Sequence, residues 1–121
     1  MTVEIVTGTE HWERGEIALS VSGDGEAVVR IRRSGQEQRF EGRVDAAEVD
    51  ALTRALAGIE LPGRAAATEP GDTAVRVTVR RGKETVQEGE AWYSRRWDDT
   101  RLDEALRRYD AIVDAVTAGA L

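Results

Sequence analysis

The sequence predicts one α+β domain spanning residues 1–121: a two-layer structure in which an antiparallel β-sheet carries two helices packed on one face, in the order ββββα-ββα. Three observations support this reading. Apolar and polar residues alternate in two separate blocks, each block ends in a stretch of helical periodicity, and short glycine-bearing turns separate the alternating runs.

Val3 and Ile5 mark a short first strand, followed by a loop from Thr7 to Gly15. Ile17, Leu19 and Val21 sit two apart, as do Ala27, Val29 and Ile31. Between them Ser22-Gly23-Asp24-Gly25 supplies the φ freedom of a tight turn, which makes a hairpin. Ser34-Gly35 gives a second turn, after which Phe40 and Val44 share one face and Arg39, Glu41 and Arg43 take the other.

Val44-Asp45-Ala46-Ala47-Glu48-Val49 opens the first helix. Asp45 is placed to cap the first amides, Glu48 to complete a capping box, and Val44 with Val49 to form a hydrophobic staple. Val49, Leu52, Leu56 and Ile59 form the buried stripe, and Gly58 suits the left-handed conformation that ends a helix. Glu60 to Asp72 holds both prolines and reads as a long loop, either a functional segment or tolerated slack.

Val75, Val77 and Val79 then alternate with Arg76, Thr78 and Arg80, and Arg81-Gly82-Lys83-Glu84 turns the chain back. The returning strand is irregular, because Val86 shares its face with Glu88 and Glu90. A bulge at Gly89 is expected to bring Ala91 or Trp92 back against apolar neighbours. Asp98-Asp99-Thr100 opens the last helix. Leu102, Ala105, Leu106, Tyr109, Ile112, Val113 and Val116 form its apolar stripe, and Gly119 ends it.

Composition narrows the chemistry. A mixture of 40% hydrophobic and 33% charged residues with a net charge of -6 suits one soluble domain. No apolar run approaches the ~20 residues of a membrane span, and no secretory stretch follows Met1, so a cytoplasmic protein without a membrane partner is expected. The absence of Cys excludes disulfides, thiolate zinc sites and Cys nucleophiles; a single His removes most imidazole chemistry. The acidic excess argues against nucleic acid as the partner. Gly23-Asp24-Gly25 lacks the third glycine of a phosphate loop and joins two strands, so no cofactor is assigned.

Four places remain as candidates. Asp98, Asp99, Asp103 and Glu104 resemble a carboxylate cluster for Mg²⁺ or Ca²⁺, but acidic residues in a first helical turn equally serve caps and the helix dipole. His11 lies beside Glu10 and Glu13 without a nucleophile motif, so no catalytic residue and no metal ligand is assigned. Arg30, Arg32, Arg39, Arg43, Arg76 and Arg80 all point away from the Val and Ile set. They form either a docking face or a solvated one paired with Glu26, Glu41 and Glu84. Trp92, Tyr93, Arg95, Arg96 and Trp97 combine the residue types enriched at interface hot spots, and this segment is the preferred binding site, with one ring buried and another exposed.

From Val28 to Val116 the hairpin, the segment Val44-Asp45-Ala46-Ala47-Glu48-Val49-Asp50-Ala51-Leu52, the proline-containing loop, the strand Asp72 to Arg80 and the closing helix resemble the emfourin family. These are small bacterial proteins that inhibit thermolysin-like metallopeptidases. Ser34-Gly35-Gln36-Glu37 stands where that family has a Ser-Gly-Gly-Phe type opening, and the first strands and the Trp92 to Trp97 segment are additions, so no inhibitory residue is carried over. The resemblance implies a non-catalytic domain that binds another protein, a peptidase in its most specific form, as inhibitor or antagonist. The alternatives are an immunity-type or regulatory interaction module, and a metal-dependent enzyme using the Asp98 to Glu104 carboxylates.

Overall fold

The computed structural model describes residues 1–8, 15–59 and 74–118. His11, the Glu60 to Asp72 loop and Gly119 lie outside the described residues. Six strands, β1 (Thr2–Thr7), β2 (Glu16–Ser22), β3 (Glu26–Arg33), β4 (Gln36–Arg43), β5 (Ala74–Arg81) and β6 (Glu84–Trp92), form one sheet in the order β4-β3-β2-β1-β5-β6. Every neighbouring pair is antiparallel. Helices α1 (Ala46–Ala57) and α2 (Thr100–Thr117) cover one face, so the α+β two-layer architecture holds and both hairpins belong to the same sheet.

β1 makes that union. Val3, Ile5 and Thr7 pair with Val21, Leu19 and Ile17 on one side and with Val79, Val77 and Val75 on the other. Period-two alternation places all of these side chains on the helix side, where they are buried. Tyr109 of α2 ties the layers together. Its hydroxyl donates to the Ile17 carbonyl at 3.0 Å and lies 3.0 Å from Thr7 Oγ1, which leaves no buried hydroxyl unsatisfied there.

The β2–β3 turn is fixed by close approach. Gly25 has φ +97°, and a Cβ on it would lie 2.1 Å from the Val44 carbonyl oxygen. The Gly25 carbonyl in turn accepts from Val44 N at 2.9 Å, so this turn is stitched to the junction of β4 and α1. Only glycine fits.

Three local expectations are corrected. Asp45 occupies the N-cap of α1, but its carboxylate caps nothing and no capping box forms. The amide of Glu48 instead donates to the Asp45 main-chain carbonyl at 2.9 Å, which makes a tight first turn. Gly58 is right-handed, at φ -86° and ψ 0°. Here side chains from other elements also bond the last carbonyls: Gln87 Nε2 donates to Leu56 O at 2.9 Å and Arg101 Nη1 to Gly58 O at 2.8 Å. The bulge in β6 lies at Val86 instead of Gly89. Arg80 pairs with Thr85 and Val79 with Gln87, which leaves Val86 unpaired and 52% exposed. The extra residue turns Gln87, Gly89 and Ala91 toward the helices, and Trp92, opposite Ala74, toward the other face.

Candidate protein-binding site

At Trp92 the chain leaves β6 and enters a single 3-10 helix, Tyr93–Trp97, which leads directly into α2. Both Asp98 N and Asp99 N donate to Arg95 O at 3.0 Å, closing the turn. Asp99 is a true N-cap for α2, since its Oδ1 accepts from Arg101 N at 3.1 Å and Leu102 N at 3.2 Å. The ladder between β5 and β6 thus holds the segment at Trp92, and these hydrogen bonds hold it at Asp98 and Asp99.

Arg96 points inward. It is buried, its Nε donates to Asp103 Oδ1 at 2.7 Å, and its Nη1 donates to the Tyr93 hydroxyl. The guanidinium carbon lies 5.0 Å from the Tyr93 ring centroid and 5.2 Å from that of Trp97, so two aromatic rings and a carboxylate surround one cation. Burial opposes its charge, but the hydrogen bond to Asp103 and the Asp103 carboxylate charge outweigh it and raise its pKa. Asp103 also accepts from Arg107 Nε at 2.9 Å. The Arg96 hydrogen bond, aided by Arg107, holds its carboxyl below the usual carboxylate range.

The five residues of the segment thus divide by role. Trp97 is 74% exposed, and its indole rests against the Arg96 guanidinium. Arg95 is exposed beside it, 3.7 Å from Asp99 Oδ2. Trp92 and Tyr93 are half-buried. Arg96, expected among the contact residues, is instead the strut that positions Trp97. The segment was read from residue type alone, which does not say which side chain of a 3-10 turn faces inward.

The acidic residues that open α2 do not converge on one point. Asp99 caps the helix, Asp103 holds Arg96 and Arg107, and Glu104 accepts from Arg108 at 3.2 Å. Among the described residues no group of three or more potential ligands is placed to hold a metal ion. No described helix is long and apolar enough to cross a membrane.

Arg30, Arg32, Arg39, Arg43, Arg76 and Arg80 lie on the face away from the helices. They are interleaved with Glu4, Glu16, Glu26, Glu41 and Glu88, so the face is a mixed-charge surface and not a basic array. Arg43 reaches Glu26 at 3.3 Å, Arg39 reaches Glu41 at 2.8 Å, and Glu16 stands 3.8 Å from both Arg32 and Arg76. Glu4, Val6 and Ala18 of this face were missed as surface residues, although the alternation around Val3 and Ile5 contained their placement. No family model, curated protein or solved structure matches the chain.

Proposed function

We propose that this chain is a non-catalytic protein-binding domain, an inhibitor or antagonist of another protein, which grips its partner through Trp97 and Arg95. The observation that carries the reading is the exposure of Trp97 on a turn pinned from behind by Arg96 and Asp103. An exposed large apolar side chain forgoes roughly 1.5–3 kcal/mol of burial free energy. A pinned turn lowers the ordering cost of binding, and Trp and Arg are the residue types that dominate contact energies.

The resemblance of Val28 to Val116 to the emfourins makes a thermolysin-like metallopeptidase the most specific partner. Inhibition of such a peptidase by the purified chain, weakened at least about thirtyfold by Trp97→Ala, is the expected result, equivalent to a hot spot of about 2 kcal/mol. If no inhibition is seen, the peptidase reading fails. The broader reading is then tested by a photocrosslinking residue at position 97 in the native cell. A defined protein adduct supports it, and its absence points to another surface.

A further inference from the structure

The uncovered face of the sheet holds a second feature, independent of the Trp97 turn. One row across the strands runs Glu90, Arg76, Val6, Ala18, Arg30, Arg39; the next runs Glu88, Thr78, Glu4, Ser20, Val28, Glu41. Arg30 stands directly opposite Arg39 on the neighbouring strand, an arrangement that is unfavourable for like charges. Arg39 has Glu41, but Arg30 makes no ion pair among the described residues. Beside the two guanidiniums lies a concavity of 260 Å³ lined by Glu4, Val6, Ala18, Val28, Arg30 and Arg39.

We propose that this face docks a carboxylate-bearing peptide segment of a partner protein, its carboxylate held between Arg30 and Arg39 over the apolar floor of Val6, Ala18 and Val28. Planar guanidiniums bind carboxylates through parallel N–H donors, and an incoming anion gives Arg30 the partner that Arg39 already has in Glu41. A nucleic-acid strand fits less well. Glu4, Glu16 and Glu41 interrupt any continuous path for phosphates, and the concavity has no aromatic ring on which a base can stack.

The test is a ¹H–¹⁵N NMR titration of the full chain at low salt with a short blocked peptide carrying one Glu among Ala and Ser residues. Saturable shifts confined to amides of β1–β4 around Val6, Ala18, Arg30 and Arg39 are expected. The Glu→Gln peptide and the Arg30→Gln protein should each bind about tenfold more weakly, the scale of a lost hydrogen bond to a charged group. Arg30→Gln should melt at or above the temperature of the unmodified chain, since it relieves a repulsion, and Trp97→Ala should bind the peptide unchanged. The proposal is overturned if no saturable shift occurs, if either Gln change leaves binding intact, or if a thymidine oligonucleotide binds the same amides as tightly.

Discussion

Asp45 and Asp99 look alike in the sequence, each an aspartate just before a helix with an acidic residue soon after. Only the Asp99 carboxylate accepts hydrogen bonds from main-chain amides. Asp99→Ala should therefore cost about 1 kcal/mol in urea unfolding, while Asp45→Ala should leave stability within about 0.5 kcal/mol of the parent. The sequence located both caps but not their difference, because that depends on whether the main chain of the first turn has already claimed the amide. Asp103 gives a pH signature. Its carboxyl titrates below the ordinary value when folded, so its contribution is complete above the unfolded pKa of roughly 3.9 and is lost as pH falls toward the folded pKa. In urea melts Asp103→Asn should be clearly destabilised at pH 7, and the gap to the parent should narrow in the acid range. An equal gap at both pH values would assign the loss to shape instead of charge.

Among the elements, the strands and helices were legible because each follows a single period over several residues. What escaped was how they meet. Val86 fits the alternation of β6 as well as its neighbours do, yet it is the residue left out of the ladder. The bulge there gives α1 an amide, Gln87, for its last carbonyls, a demand that no local pattern can announce. The β2–β3 turn shows the same dependence on a distant partner. Gly25 reads as a generic turn glycine, but the Val44 carbonyl fills the space where a side chain would begin. Gly25→Ala should combine that clash with a positive φ and cost about 3 kcal/mol or more, whereas Gly35→Ala, with the same sign of φ and open space around it, should cost about 1 kcal/mol. Equal losses in thermal melts would mean that the contact with Val44 is easily relaxed.

On the scale of the whole molecule, element order and the side covered by the helices were readable, since amphipathic stripes require a single apolar face to meet. The order of strands across the sheet was not, because alternation assigns sides without naming neighbours. β1 is the case in point: residues 8–15 separate it from β2, and no tight turn announces the pairing. As the first strand in the chain and a central one in the sheet, it has consequences for biosynthesis. A nascent chain emerging from the ribosome can assemble β4-β3-β2-β1 early, but the other flank of β1 must wait for β5, which is translated only after two hairpin turns and α1. During that interval the sheet has a raw hydrogen-bonding edge lined by Val3 and Ile5, and a strand donated by a neighbouring polypeptide competes with the chain's own β5 for it.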